Sequence, residues 1–235
     1  MFLEDNCESL GSEINKIKLG NFGIASTFSF FVGHHLSTIE GGMVCTDNEE
    51  LFQALIMARA HGWDRHLSGE KQKIIRNIYS IDEFYSKYTF YDLAYNVRPN
   101  EINGFLGNLQ LKYLDDIVEK RFQNFKEVDV QIQNNDDLIN IKYSHMDIVS
   151  SFAIPVIVKS KKLKDLYLEK FFNAKIEVRP MIAGNMNTQP FFKKYINEDF
   201  NLKNTQFLHE NSFYCGNNPE LNSEDINQIK IALTK

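Results

Sequence analysis

A loop with two adjacent histidines separates two strand-like segments near the start of the chain. The loop runs from Ser29 to Gly42 and contains His34, and the flanking segments 26–31 and 42–46 have the composition of short strands. A histidine side chain titrates near neutral pH, which suits it to move protons in catalysis. The loop is therefore the first candidate for a chemical centre.

Two acidic residues precede this loop in the sequence. The segment Phe2 to Asp5 indicates the end of a strand, and open α/β sheets bind ligands at the C-terminal ends of their strands. Asp5 is therefore a candidate site residue, and Glu8 follows it three positions later. Adjacent residues of an extended loop point to opposite sides, so we expect only one of His34 and His35 to face a ligand.

Composition narrows the class of protein. The 235 residues are 43% hydrophobic and 24% charged, which is enough for one large or two small globular domains. A net charge of -5 argues against nucleic-acid binding. The sequence has no long apolar run and no signal-peptide pattern, so we expect a cytoplasmic protein without a membrane span. Three widely spaced cysteines indicate reduced thiols, and we expect no metal site.

The hydrophobic pattern predicts the elements that hold these residues. A helix is predicted from 47 to about 60, followed by an irregular segment from 63 to 95. A helical period from 99 to 125 is predicted to break once, near 113–115. The C-terminal part is predicted to be a compact α+β domain, with strands at 139–141, 151–158 and 175–179 and helices at 162–172 and 223–233.

The run Ser29-Phe30-Phe31-Val32-Gly33-His34-His35, followed by Glu40-Gly41-Gly42, resembles a known cofactor loop. It is similar to that of the DegT/DnrJ/EryC1/StrS sugar aminotransferases, pyridoxal-phosphate (PLP) enzymes that act on nucleotide-linked keto-sugars. In those enzymes the sixth residue is a lysine, whereas this chain has His34. Imidazole cannot form lysine's stable covalent link to the cofactor. The chain therefore resembles most closely the PLP-dependent sugar-nucleotide 3-dehydratases.

The resemblance implies an α/β fold, that of the fold-type-I PLP-dependent transferases related to aspartate aminotransferase. Residues 1–98 would form the C-terminal part of the cofactor-binding large domain, 99–125 a linking helix, and 126–235 a small α+β domain. Only the C-terminal part of the family chain is thus expected here. We also expect that these residues cannot hold the cofactor tightly unless the remaining part is supplied by another polypeptide.

The resemblance also assigns residue roles around the cofactor. Asp5 would pair with the pyridinium nitrogen, since the interval from Asp5 to His34 matches the family's interval from aspartate to lysine. His34, in place of the lysine, would be catalytic. Glu8 would be catalytic too, because it lies where the dehydratases carry an acid and the aminotransferases carry glutamine. Ser29 would bind the cofactor phosphate, and Asn96 would reach the phosphate in the partner subunit of a homodimer with shared active sites.

Three further residues are assigned to the substrate by resemblance. Arg98, in a segment similar to G-x-N-x-R with Ala94 in place of the glycine, would clamp a carboxylate or phosphate. Arg179 and Asn185 match a small-domain pattern R…GN…QP that borders the substrate. The segment Phe213 to Asn217 resembles the turn before the last helix, for which we expect a structural role.

The implied reaction is C3 deoxygenation of a nucleotide-linked 4-keto-6-deoxyhexose in dideoxysugar and O-antigen lipopolysaccharide biosynthesis. L-glutamate would convert PLP to pyridoxamine phosphate (PMP), and His34 would then move the proton that accompanies loss of the C3 hydroxyl. One sister group adds an iron–sulfur cluster, but Cys7 alone cannot hold one, so we expect no cluster and a closer likeness to the enzymes acting on GDP-4-keto-6-deoxymannose. Alternatives are a sugar-nucleotide aminotransferase and an inactive dimerisation or binding fragment.

Overall fold

The computed structural model describes residues 1–182, 184–198 and 200–235. Its strands are β1 (Leu3–Asp5), β2 (Glu13–Ile14), β3 (Ile17–Lys18), β4 (Ala25–Ser29), β5 (Gly42–Cys45), β6 (Ala153–Ile157), β7 (Val178–Pro180) and β8 (Ser212–Gly216). Its α-helices are α1 (Glu49–Ala58), α2 (Gly69–Ile78), α3 (Glu83–Ser86), α4 (Glu101–Leu111), α5 (Leu114–Gln133), α6 (Lys161–Asn173), α7 (Pro190–Tyr195), α8 (Lys203–Asn211) and α9 (Ser223–Ala232).

The chain folds as two compact units. Unit 1 contains Met1–Cys7 and Gly20–Lys112, and unit 2 contains Glu8–Leu19 and Tyr113–Lys235. Both units mix helices and strands, as an α/β fold requires.

Unit 1 is built on a three-stranded sheet of order β1-β4-β5. β1 pairs parallel with β4, which places Asp5 beside Thr27, and β4 pairs antiparallel with β5, which places Ser29 beside Gly42. The histidine loop therefore connects two neighbouring strands, as the sequence predicts. Ala25, the first residue of β4, is buried. The histidine loop follows the C-terminal end of this strand.

Helix α4 holds the histidine loop in place. The Asn103 side-chain amide donates hydrogen bonds to the carbonyl oxygens of Thr38 and Glu40, at 3.0 and 2.9 Å. Gln110, two turns later, accepts a hydrogen bond from the Ser37 N–H at 2.9 Å. One face of this helix thus satisfies backbone groups that the loop cannot satisfy itself.

The predicted irregular segment from 63 to 95 is wrong in part, because it contains α2 and α3. The Ser68 side chain accepts a hydrogen bond from the Lys71 N–H and begins α2, and the Asp82 side chain accepts one from Phe84 N–H and begins α3. None of the residues in α2 is buried, although the helix is amphipathic, and the charged and aromatic residues around it obscure its helical period in the sequence.

Unit 2 is built on a second three-stranded sheet, of order β6-β8-β7 and antiparallel throughout. Helices α5, α6 and α9 pack around a continuous apolar core with this sheet. The most completely buried side chains of that core include Tyr167, Phe171, Phe213, Ile154 and Leu233. Alternation in β6 and the apolar period of α9 are the sequence signals of this packing.

Several predictions for unit 2 are confirmed and others are wrong. The strand at 151–158 and the helices at 162–172 and 223–233 are present as β6, α6 and α9, and the predicted break near 113–115 separates α4 from α5. The strand at 139–141 is absent among the described residues, where Ile139 only donates its N–H to the Ile157 carbonyl. Strand β7 starts later than predicted, at Val178. The segment Phe213 to Asn217 lies mostly in strand β8 rather than in a turn.

Among the helices that the structure describes, none combines the length and apolar character needed to cross a membrane.

Candidate active site

Asp5 lies at the C-terminal end of β1, and neighbouring donors hold its carboxylate. The Thr27 hydroxyl donates to Asp5 Oδ1 at 2.9 Å, and the Cys7 N–H donates to the same oxygen at 3.3 Å. Hydrogen bonds from the Cys7 side chain, the Thr27 hydroxyl and the Cys7 N–H hold the pKa of Asp5 below its usual range. The side chain is exposed, so a charged carboxylate is presented at the sheet edge.

His34 lies in the loop after β4, with its ring half-buried. Its Nδ1 lies 2.5 Å from the main-chain oxygen of Cys7, and its N–H donates to the Phe31 carbonyl at 3.0 Å. The Phe31 ring meets the imidazole edge-on, with ring centroids 6.3 Å apart. The neighbouring His35 is buried, which separates the environments of the two histidines.

Cys7 connects Asp5 to His34. Its N–H contacts the Asp5 carboxylate and its carbonyl contacts the His34 ring, so one residue bridges the acid and the imidazole. Sequence reasoning did not single out Cys7 or Thr27 as supports of the site. The signal for Thr27 is its position two residues before Ser29, which places both on one face of β4, but only the parallel register with β1 shows that Thr27 meets Asp5.

Ser29 is the last residue of β4. Its hydroxyl accepts a hydrogen bond from the Phe31 N–H at 3.3 Å, which starts the turn into the loop. The side chain is half-buried, as expected of a residue at the end of a strand that enters a loop.

Asn96 and Arg98 lie together on an exposed segment that pairs with the end of α1. Arg98 Nε donates to Asn96 Oδ1 at 3.0 Å, and the Arg98 guanidinium lies 5.4 Å from the centre of the Trp63 ring. The Arg65 guanidinium stacks on the same ring at 3.7 Å. Trp63 and Arg65 were not predicted as site residues, and these contacts join them to the Asn96–Arg98 pair.

The three remaining predicted site residues belong to unit 2. Glu8 is half-buried, and its carbonyl oxygen accepts a hydrogen bond from Phe152 N–H at 3.2 Å. Arg179 is exposed on β7 and forms an ion pair with Glu177.

Asn185, also in unit 2, is buried and makes several hydrogen bonds. Its side-chain oxygen accepts from Asn187 N–H at 3.1 Å, and its amide donates to Gln206 Oε1 at 2.7 Å. Its own N–H donates to His209 Nδ1 at 3.3 Å. These bonds hold the loop in shape. Asn185 lines one side of a cavity of about 420 Å³ together with residues of α8.

The described residues contain no group of three or more histidine, cysteine, aspartate or glutamate side chains arranged to hold a metal ion. In unit 1 the structure therefore brings Asp5 and His34 together through Cys7, and pairs Asn96 with Arg98. In unit 2, Arg179 lies on β7, whereas Glu8 and Asn185 lie in loops.

Comparison with known proteins gives a consistent set of relatives. The chain is 34% identical over 231 residues to GDP-4-keto-6-deoxy-D-mannose 3-dehydratase of Escherichia coli O55:H7, covering 92% of the chain and 56% of the relative. The solved structure of the E. coli enzyme with bound hydrated PLP matches with a TM-score of 0.84 and 31% identity, over 99% of this chain and 60% of the other. The structure of a histidine-to-asparagine variant of GDP-4-keto-6-deoxymannose-3-dehydratase with bound GDP-perosamine matches with a TM-score of 0.85 and 31% identity. This match also covers 99% of this chain and 60% of the other.

The chain thus spans between half and two thirds of the length of these relatives. The matched structures have the fold-type-I α/β architecture of PLP-dependent aminotransferases, and units 1 and 2 reproduce it over the matched region. The model of one protein family, the DegT/DnrJ/EryC1/StrS aminotransferase family, matches residues 1–234. The chain belongs to the DegT/DnrJ/EryC1/StrS aminotransferase family.

Proposed function

We propose that this protein is a PLP/PMP-dependent sugar-nucleotide 3-dehydratase, which removes the C3 hydroxyl of a nucleotide-linked 4-keto-6-deoxyhexose. The observation that carries the proposal is His34, which stands in the family's cofactor loop where aminotransferases carry lysine and is anchored beside Asp5 through Cys7. The relatives named 3-dehydratases support the same activity.

The residues of unit 1 fit the cofactor chemically. A carboxylate that stays ionised can balance a protonated pyridinium nitrogen, and the donors around Asp5 lower its pKa in the required direction. Ser29 offers a hydroxyl for the cofactor phosphate at the start of a tight turn. Asn96 offers an exposed amide, which we propose binds the phosphate in a partner subunit.

When bound, the cofactor supplies an amine and a conjugated ring that accepts electrons. The protein's part is to hold and move protons. His34 would move a proton on its imidazole while the C3–O bond breaks, because no lysine amine competes for that position. Glu8 would adjust the proton-transfer network.

The overall reaction balances with glutamate as the reductant. Glutamate gives up two electrons and its amino group, leaving 2-oxoglutarate and ammonia. The sugar gains the two electrons and loses its C3 hydroxyl as water. This water balances the one that is consumed when ammonia is released, so the overall reaction neither consumes nor forms water. Since histidine cannot recapture the cofactor covalently, we propose that the nitrogen leaves as ammonia rather than remaining on the sugar.

Substrate binding is proposed for three polar residues. Arg98, exposed beside the Trp63 ring, would contact the glutamate carboxylate or the sugar-nucleotide phosphates. Arg179 would contact the diphosphate or a sugar hydroxyl once it leaves Glu177. Asn185 would act mainly by holding its loop, because both ends of its side-chain amide are already engaged.

At the level of the whole molecule we propose a cytoplasmic homodimer with shared active sites. We also propose that residues 1–98 form part of the cofactor-binding large domain, 99–125 a linking region and 126–235 the small domain. The break between α4 and α5 lies within the proposed linking region.

The proposal is tested by incubating the protein, expressed from its own gene, with glutamate, PLP and GDP-4-keto-6-deoxymannose in deuterated water. We expect ammonia and 2-oxoglutarate in equal amounts, and a product that has lost the C3 hydroxyl and gained deuterium at C3. The His34→Asn variant should bind the cofactor but release no deoxygenated product. An amino-sugar product from the unaltered protein would instead support an aminotransferase.

A further inference from the structure

We infer that the main-chain carbonyl of Cys7 fixes the tautomer of His34, keeping the proton on Nδ1 so that Nε2 is the atom that exchanges protons. The position of the proton on the ring follows from the structure, whereas proton exchange at Nε2 rests on the proposed function. Cys7 is thus a positioning residue for His34, which it contacts through its main-chain carbonyl.

The tautomer follows from the contact between the ring and the carbonyl. His34 Nδ1 lies 2.5 Å from the Cys7 oxygen, well within hydrogen-bond distance. A carbonyl oxygen has no hydrogen to donate, so the bond requires a proton on Nδ1. In the neutral ring the lone pair is then on Nε2. Turning the ring over would place Cδ2 against the oxygen and lose the N–H donor.

Both partners of this bond are held by other contacts. The His34 N–H donates to the Phe31 carbonyl at 3.0 Å, and the Phe31 ring meets the imidazole edge-on. The Cys7 N–H donates to Asp5 Oδ1 at 3.3 Å, and Asp5 is itself held by the pairing of β1 with β4. The acceptor and the imidazole therefore keep a fixed spacing, which is the condition for a single tautomer.

The selected tautomer is the less common one. In water a neutral histidine side chain prefers its proton on Nε2, so an unrestrained His34 would carry its lone pair on Nδ1. The Cys7 carbonyl reverses this preference and moves the lone pair to the ring atom farther from the backbone. A base that must reach a bound substrate gains reach from this arrangement, since Nε2 extends beyond Nδ1 from the main chain.

Nitrogen NMR of the native protein reads the tautomer directly. The protein is labelled with ¹⁵N and studied at about pH 8.5, roughly two units above the ordinary histidine pKa. Among the six histidines, the His34→Asn variant identifies the His34 signals by their loss. We expect the protonated-nitrogen shift on Nδ1 and the far-downfield, unprotonated shift on Nε2. The opposite assignment would overturn the inference.

A pair of isosteric variants tests the anchoring bond. The side-chain nitrogen of asparagine overlies Nδ1 and can still donate to Cys7, whereas the amide of glutamine reaches the Nε2 position. We expect the His34→Asn variant to keep its melting temperature and the His34→Gln variant to lose about 2–4 °C, the effect of one ordinary hydrogen bond in a chain of this size. Equal losses in the two variants would contradict the inference.

These readouts separate the inference from the proposed function. Neither the nitrogen shifts nor the melting temperatures depend on turnover. If the proton is on Nδ1 but no deoxygenation occurs, the anchoring inference holds and the proposed function fails. If deoxygenation occurs while the proton is on Nε2, the proposed function holds and the inference fails.

Discussion

At the residue scale, the exchange of one side chain separates two kinds of chemistry on one scaffold. In the proposed function, a lysine at position 34 would tether the cofactor, whereas the imidazole of His34 would only exchange protons with it. The structure adds the supports that the exchange needs, because Asp5, Cys7 and His34 form a chain of contacts. The proposed function therefore depends on short-range geometry as well as on the residue type at position 34.

Thr27 is predicted to hold the charge of Asp5. Replacing Thr27 with Val removes the 2.9 Å donor to Asp5 Oδ1, so the pKa of Asp5 should rise and the carboxylate should bind the pyridinium less well. We expect PLP affinity to fall about fivefold, the effect of roughly 1 kcal/mol from one hydrogen bond, as measured by absorbance titration. The Thr27→Ser variant keeps the hydroxyl and should bind normally. Equal weakening in both variants would assign the effect to packing.

Glu4 is predicted to make unit 1 sensitive to acid. Burial raises the pKa of Glu4, but N–H donors from Gly20, Gly23 and Phe22 outweigh it, and the net pKa lies below the ordinary 4.5. The stabilisation is therefore complete above about pH 4.5 and is lost as the pH falls through the lower pKa of the folded chain.

The Glu4→Gln variant tests this pH dependence. Its free energy of unfolding should be lower at neutral pH and should fall less steeply than that of the unaltered chain below about pH 4.5. Urea unfolding at a series of pH values measures both effects. Parallel acid profiles for the two proteins would show that Glu4 does not carry the dependence.

At the element scale, α4 supports the histidine loop through Asn103. That side chain joins the capping box at the start of α4 and also binds the Thr38 and Glu40 carbonyls. The Asn103→Ala variant should lose about 2 kcal/mol of unfolding free energy, because it removes a cap and leaves loop carbonyls without their donor.

Asn108, exposed on the same helix, provides the matched control. The Asn108→Ala variant should stay within about 0.5 kcal/mol of the unaltered protein. Chemical denaturation of the two variants measures the difference. Similar losses at both positions would mean that the loop does not depend on the contacts of Asn103.

The sequence predicts those elements whose period is set by burial. Strand β6 and helices α6 and α9 contact the core of unit 2 directly, so their apolar spacing is regular and their predictions are confirmed. Helix α2 is amphipathic but buries no residue, and the charged and aromatic residues of the segment 63–95 predict an irregular region around it. The resemblance predicts a turn at 213–217, but most of this segment is strand β8, in which Phe213 and Cys215 face the core.

The candidate site was predictable in its chemical residues but not in their supports. His34 and Asp5 stand out by residue type and by their spacing in a family motif. Cys7 contacts His34 through its main-chain carbonyl, a group common to every residue, so this contact has no sequence signal. Thr27 becomes meaningful only once the parallel register between β1 and β4 is known.

At the scale of the whole molecule, the chain has the fold of its family over about 60% of the relatives' length. Unit 1 exposes large apolar side chains such as Leu93, Tyr95 and Phe105. Because the chain covers only part of the relatives' length, substrate and cofactor chemistry is proposed for the protein as expressed from its own gene. The two units show the fold of the DegT/DnrJ/EryC1/StrS family, and the imidazole at the tethering position belongs to the proposed function.

The product formed by the unaltered protein and by its His34→Lys variant tests the central claim most directly. Both are incubated with glutamate, PLP and the 4-keto-6-deoxyhexose nucleotide, and the sugar products are identified by NMR and mass spectrometry. The account predicts a 3-deoxygenated keto-sugar with free ammonia from the unaltered protein, and amino-sugar from the lysine variant. An amino-sugar from the unaltered protein, or deoxygenation that persists undiminished with lysine at position 34, would contradict it.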